Sequence, residues 1–342
     1  MPVTLHDLAK EVGVSVATVS RALSGAPGVS EATRRRVLEA ARALNYRPNV
    51  LAQRLQKQRT DTIGFIIPTF GPRFSDPFFS ELLAGIGNEA AAHEYDLLVS
   101  TRPPGEEEMI AYERMVQERR VDGLLVVRTR RHDPRIEYLQ SHDFPFVAFG
   151  RCETERPFPY VDVDGERGMY QLTRHLIANG HRRIAYITVS DALMFSHHRM
   201  EGYRRALAEA GLPFEARYVL EAGMSDTEGY RAGQQLLRMD EPPTAIIAAT
   251  DLIALGVMSA AEAEGIRVGE ELAVAGFDDI SLASISRPPL TTLRQPIYAI
   301  GQTICRMLLE QILEGQIAQP YRILQPELIV RPSTDFKLSP HG

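Results

Sequence analysis

The sequence predicts an α/β protein: a small helical head at the amino end, then two lobes, each built on a doubly wound parallel sheet. Three observations carry this. In the first 45 or so positions apolar residues recur at helical spacing in short segments separated by glycine and serine. From Thr62 onward short apolar runs alternate with helix-length amphipathic stretches, as parallel strands joined by crossover helices do. Roughly 280 residues of such alternation exceed what one core ordinarily serves, so two similar lobes are expected.

In the head, Leu5, Leu8, Ala9 and Val12 fall at i, i+3, i+4 and i+7 behind a capping Thr4, and Gly13 ends the helix. Ser15 caps a second helix over residues 16–23. Its Val19, Ala22 and Leu23 point inward and leave Val16, Ala17, Thr18, Ser20 and Arg21 facing out. Two short helices joined by a Gly-containing turn read as helix-turn-helix. A third helix after Ser30 places Val37, Leu38, Ala41 and Leu44 inward and carries Arg34, Arg35, Arg36 and Arg42, closing a head at residues 1–47. Charge divides the same way. The first 60 residues hold ten Lys/Arg against four Asp/Glu, and the remainder holds 28 against 40. The basic end suits phosphate and the acidic remainder repels it, so the head is expected to read duplex DNA. Residues 48–60 follow as hinge and linker. Pro48 and Asn49 suit a helix start, but about two turns of helix are marginal alone and need a partner.

The segments TLHDLAKEVGVSVATVSRAL and NYRPNVLAQRL resemble, almost position for position, the head and hinge of the lactose/galactose-repressor (LacI/GalR) family, and the resemblance runs from residue 3 to about 334. It implies a ligand-responsive regulator, a repressor in the commoner case, that binds a palindromic operator in double-stranded DNA as a homodimer. The effector sits between lobes that resemble periplasmic sugar-binding proteins. Val16 and Ala17 match the pair that meets base edges in the major groove, and Arg21 matches the guanine reader. Because Val16 and Ala17 are small and apolar, Arg21 is left with much of the direct readout. Thr4, Ser15 and Ser30, with Thr18, Ser20, Thr33 and Tyr46, match the phosphate-contacting set, which fixes register without reading sequence. In the hinge, Leu55 matches a leucine that wedges between central base steps in the minor groove, with Asn49 and Ala52 beside it.

Buried strands are read at 63–68, 96–101, 123–127 and 145–150, and again at 183–189, 244–250 and 271–279. The resemblance implies lobes that exchange strands: the first at 61–159 plus 293–325, the second at 160–290 plus 326–340. Ligands of such sheets bind beyond the carboxyl ends of the strands. That rule nominates Phe74, Asp76, Phe78 and Phe79 after the first strand, Arg128 after the third and Arg151 after the fourth. Facing them are Phe195, Arg199, Met224, Thr250, Asp251 and Asp278. Carboxylates and arginine forks for vicinal hydroxyls, with aromatic faces for apolar ring faces, are what a sugar site needs. In the family, Arg199 and Asp278 match effector-contacting positions, Thr250 and Met224 neighbouring pocket positions, and Phe78 and Phe79 pocket aromatics. Asp164, Asp251 and Asp279 read as helix caps.

The stretch DPFFSELLAGIGNEAA is similar to its counterpart in regulators of glucoside and maltose-type disaccharide use. A branch that binds purines as corepressors is the alternative, and inducer or corepressor behaviour stays open. An enzyme on the same fold is the next alternative, but Gly85, Gly87 and Ala90 place their G-x-G-x-x-A spacing inside a helical stretch, the wrong context for a dinucleotide turn. There is no P-loop and no G-x-S-x-G. His197 and His198 are adjacent, which sends their side chains apart on a helix, and Cys152 and Cys305 lack motif context, so neither metal nor cofactor is expected. A transport-type sugar-binding protein is the third class. The start MPVTLHDLAK has no apolar signal core, there is no membrane-spanning run, and cysteines are few, which together place the chain in a prokaryotic cytoplasm, on the nucleoid. Eight residues after Thr334 are too short for a tetramer-forming heptad helix, so the expected assembly is a homodimer.

Overall fold

The computed structural model describes residues 3–46, 59–69 and 76–336, which fall in two compact units, residues 1–60 and 61–342. The hinge residues Asn49, Ala52 and Leu55 lie outside the described residues.

The first unit is three helices, α1 (Leu5–Val12), α2 (Val16–Leu23) and α3 (Glu31–Ala43). Each is started by a side-chain oxygen that accepts from an amide the helix leaves unpaired: Thr4 from Asp7, Ser15 from Thr18 and Ser30 from Thr33. At α1 this is a full capping box, since the Asp7 carboxylate returns a bond to the Thr4 N–H at 2.9 Å. Gly13 then reverses the chain at φ 71°, a left-handed conformation that glycine adopts without strain. The core is Leu8, Ala9, Val12, Val19, Ala22, Val37 and Ala41. Leu38 is the exception to the predicted inward set and is 38% exposed. Val37 and Ala41 fill the narrow seam against two short helices, and Leu38 lies a further 100° round α3.

The second unit holds two six-stranded sheets. The first contains β1 (Thr62–Pro68), β2 (Asp96–Arg102), β3 (Gly123–Val127), β4 (Phe146–Phe149), β5 (Tyr160–Val163) and, late in the chain, β11 (Tyr321–Leu324), in the order β11-β5-β4-β3-β1-β2. The second contains β6 (Ile184–Thr188), β7 (Val219–Glu221), β8 (Ala245–Ala248), β9 (Ala273–Asp278), β10 (Thr291–Arg294) and β12 (Glu327–Ile329), in the order β12-β10-β9-β8-β6-β7. The two windings repeat each other, and β12 alone among these strands runs antiparallel to its neighbour. Between strands lie α4 (Pro77–Ala92), α5 (Glu106–Gln117), α6 (Pro134–Ser141), α7 (Gly165–Ala178), α8 (Met194–Glu209), α9 (Asp226–Leu237), α10 (Asp251–Ala263), α11 (Ser281–Ile285) and α12 (Ile297–Glu314). The strands β1, β3, β8 and β9 are buried along their whole length, as two-sided helix cover demands.

Two predictions are corrected here. Residues 160–163 belong to the first sheet and residues 293–294 to the second, so the chain changes lobe near 164, 295 and 325 rather than at the predicted boundaries. The strands concerned, YVDV and TTLR, are four residues long and mix polar with apolar side chains, so they carry no continuous apolar run. And β2, read as buried, is the edge of its sheet, with Leu98 and Val99 exposed.

Candidate functional site

On the head, Val16, Ala17 and Arg21 are all exposed, the first two in the opening turn of α2 and Arg21 one turn further on. The hydroxyls of Ser15 and Thr18 pair at 2.9 Å, as do those of Ser30 and Thr33, so two helix starts each present a hydroxyl pair where helix dipoles favour anions. Ser20 is half-buried. Tyr46 packs on the head core, and that burial raises the pKa of its phenol. Two of the arginines serve the fold instead: Arg36 donates to the Val12 carbonyl that ends α1, and Arg34 to the Ala26 carbonyl, each at 2.8 Å.

In the second unit, the carboxyl ends of the strands converge on a cleft. Asp76 caps α4 by accepting from the Phe78 N–H, and its other oxygen takes a 2.8 Å bond from the Arg128 guanidinium. Arg128 directly follows β3 and lies over the Phe79 ring, 4.7 Å from its centroid. Burial raises the Asp76 carboxyl, with Arg128 opposing. From α8, Arg199 is buried between Phe277 and Phe195, 3.5 and 4.7 Å from their ring centroids, and donates to the Ala249 carbonyl at the end of β8. Its Nε is buried with no partner among the described residues, and the residue lines the cleft.

Asp278 ends β9 in a positive-φ conformation, 125°, and is held by the Gln295 amide, which donates to it at 2.6 Å. Burial pushes its carboxyl well above the usual range, with Arg199 opposing and Asp251 reinforcing. Asp251 is wholly buried. It accepts from the Thr292 hydroxyl at 2.6 Å and the Ile280 N–H at 2.9 Å, and burial moves its carboxyl up to about 7. It is not the cap of α10; Thr250 is, accepting from the Ile253 N–H. Nor does Asp279 cap a helix, since it pairs with Arg294 and Arg331, both at 2.7 Å. Asp164 does cap α7. A side chain with two anchored oxygens at a strand end resembles a cap in sequence; which backbone amides it reaches depends on the neighbouring strand.

Of the nominated effector residues, Asp76, Phe78, Phe79, Arg128, Phe195, Arg199, Met224, Thr250 and Asp278 line one small inner chamber of about 70 Å³. It adjoins a cavity of about 940 Å³ that shares Asp76, Phe79, Arg128 and Met224 with it. Phe74 lies outside the described residues. Arg151 is corrected: it does not line either space but stands behind Asp162, which it holds at 2.6 Å. Among the lining residues that the sequence reading did not nominate are Phe149, Asp162, His198 and Gln295. Phe149 and Gln295 sit at the carboxyl ends of β4 and β10: the first lies inside the run read at 145–150, so the strand-end rule stepped past it to Arg151, and the second follows a strand too short and polar to be read. His198, whose Nε2 is buried without a partner among the described residues, shares α8 with Phe195 and Arg199. Both cysteine thiols are pushed up to about 12 by burial, far from a thiolate at neutral pH. Among the described residues no helix is long and apolar enough to cross a membrane.

A helix-turn-helix head and a doubly wound two-lobed domain with a polar, aromatic-walled cleft, carried on one chain, define a class: transcriptional regulators with a binding-protein-like sensor domain. Comparison with known proteins agrees. Residues 4–49 match the model for bacterial regulatory proteins of the lacI family, and residues 173–334 match that for a periplasmic binding protein-like domain. The chain is 38% identical over 340 residues to the HTH-type transcriptional regulator AglR of Rhizobium meliloti (strain 1021), covering 98% of this chain and 95% of that one. It is 34% identical over 329 residues to Catabolite control protein A of Priestia megaterium, covering 94% and 98%. Among solved structures it is similar to the lac repressor dimer bound to operator and the anti-inducer ONPF (TM-score 0.86, 29% identity, 98% and 99% covered). It is also similar to the transcriptional regulator CelR in complex with cellobiose (TM-score 0.75, 31% identity, 97% and 99% covered). The chain belongs to the lacI family of bacterial transcriptional regulators.

Proposed function

We propose that this protein is a dimeric repressor in the bacterial cytoplasm whose affinity for a palindromic operator changes when a neutral sugar, a glucoside or maltose-type disaccharide, binds in the cleft. Val16, Ala17 and Arg21 read base edges, the two hydroxyl pairs and Thr4 meet phosphates, and the connector at 48–60 supplies minor-groove contacts. The observation that carries the ligand class is the matching of charge. Arg128 is bonded to Asp76 and Arg199 lies beside Asp278, so among the described residues each arginine of the inner chamber has a carboxylate to answer it rather than standing free for a phosphate. The adjoining cavity of about 940 Å³ is within the range of small-molecule sites, roughly 300–1,000 Å³, and accommodates more than one ring. CelR, a relative, is known in complex with cellobiose, which supports the same class here.

A purine is the second reading, favoured by the phenylalanine-rich wall and by 34% identity to the repressor PurR of Aliivibrio fischeri. Against it, Phe78 and Phe149 already stack on each other at 6.0 Å and Arg199 covers a face of Phe195, so these rings offer little free face to a planar base. The test is a thermal-shift panel of neutral mono- and disaccharides, sugar phosphates and nucleobases. Each hit is then added to a gel shift on a duplex selected from a random pool. A neutral sugar that both stabilises the protein and alters duplex binding is the expected result; a response confined to nucleobases or phosphorylated sugars overturns it.

A further inference from the structure

Beneath Arg128 lies a group of buried charges: Glu108 of α5, and Asp133 and Arg135 at the start of α6, none with appreciable exposed surface. Arg135 bonds through all three of its nitrogens. Nε and Nη2 donate to the two oxygens of Asp133 at 2.9 and 2.7 Å, and Nη1 donates to Glu108 at 2.7 Å. Nη2 also reaches the Arg128 carbonyl at 3.1 Å. Asp133 in turn accepts the Arg130 N–H at 2.9 Å, and the Arg130 guanidinium closes the ring on Glu108. The main chain at 128 and at 130 is therefore gripped by side chains of the cluster.

Arg128 itself stands at φ 50°, a left-handed conformation uncommon for a non-glycine residue. The residues just after it cross to the second lobe. The Thr129 carbonyl accepts from the Met194 N–H at 2.9 Å, and the Arg131 N–H donates to the Ala192 carbonyl at 2.8 Å. Four consecutive residues thus face the cleft and the opposite lobe by turns. Buried ion clusters are seldom better stabilisers than apolar side chains of the same volume, so stability alone does not account for this one.

We propose that Arg135, with Glu108 and Asp133, is a positioning residue of the cleft: the cluster fixes residues 128–131 so that the Arg128 guanidinium faces the ligand while its neighbours hold the second lobe. The ligand half of this statement rests on the cleft being the effector site; the geometric half does not.

The test uses the full chain carrying Arg135→Lys or, as a near-isosteric neutral alternative, Glu108→Gln. Lysine keeps the charge but its single ammonium cannot serve Asp133, Glu108 and the Arg128 carbonyl in one fork. The direct readout is the guanidinium NMR signal of Arg128, assigned by its loss in Arg128→Lys. In the cluster variants it should move toward the position and exchange rate of solvent-exposed arginines, with duplex binding retained. For any sugar of the panel that binds the unaltered protein, cellobiose being the first probe, affinity should fall roughly tenfold or more. It should fall no further when Arg128→Ala is added. An unchanged Arg128 signal in a folded variant of lower melting temperature overturns the proposal and leaves the cluster a stability element. If no sugar binds the parent protein, the reading of the cleft fails, but the Arg128 signal still decides the positioning claim.

Discussion

Asp251 shows how one buried side chain contributes to the pH dependence of the fold. Burial holds its carboxyl at about 7 in the folded protein, against about 4 when unfolded. Between those values the native state binds a proton that the unfolded chain has released. Its stabilising contribution is therefore complete below about pH 4 and is lost as pH rises toward 7. Asp251→Asn can keep both hydrogen bonds, its oxygen accepting from Ile280 and its amide donating to Thr292, but cannot ionise. Measured by thermal melts from pH 5 to 8, the variant should gain on the parent as pH rises; a pH-independent difference would assign the shift elsewhere, the neighbouring buried Asp278 being the alternative. On α2, Arg21 is the exposed arginine, the side chain proposed above to fork onto a guanine. Arg21→Ala should weaken binding to the selected duplex by about 1–3 kcal/mol and flatten sequence preference. Salt-sensitive binding to random duplex should survive, and an equal loss on every sequence would make Arg21 a phosphate contact instead.

At the scale of elements, the close crossing of α4 and α12 decides how Asp76 and the two phenylalanines that follow it are presented. A Cβ on Gly85 would come within 2.2 Å of the Tyr298 carbonyl, and one on Gly301 within 2.4 Å of the Leu82 carbonyl, so both glycines exist to let two backbones touch. Gly87, two residues along the same helix, meets nothing within 4 Å. Gly85→Ala should therefore destabilise the protein by about 1–3 kcal/mol or more, since backbone must shift, whereas Gly87→Ala should stabilise it by about 0.5–1 kcal/mol. Denaturant unfolding of the two variants separates them, and similar effects would refute the crossing argument. Of the G-x-G-x-x-A spacing, then, Gly85 serves helix packing and Gly87 does not, and the whole of it lies inside α4.

At the scale of the molecule, charge and core divide at the same place. The first 60 residues carry ten Lys/Arg against four Asp/Glu, and each unit has its own core. Residues 61–342 alone should unfold cooperatively and keep whatever sugar the parent binds, yet show no affinity for duplex DNA. Sugar binding lost with the head would refute the independence of the sensor. In the intact protein, duplex affinity should fall steeply with salt, as counterion release requires.

What sequence alone determined was mostly local or periodic: three capped helices, the alternation of strand and helix, the exposed trio on α2, and most of the strand-end residues that meet in the cleft. Apolar spacing and capping chemistry act within a few residues, so they are legible without the fold. What only the tertiary structure decided was non-local. Asp251 turned from cap to buried acceptor because Thr292 and Ile280, 41 and 29 residues away, supply its donors. Arg151 was drawn behind Asp162, short mixed strands were claimed by one sheet or the other, and a seat of buried charges was assembled under Arg128 from two helices. Such outcomes depend on which distant backbone or charge arrives beside a side chain in a low-dielectric interior, and no window along the chain contains that information.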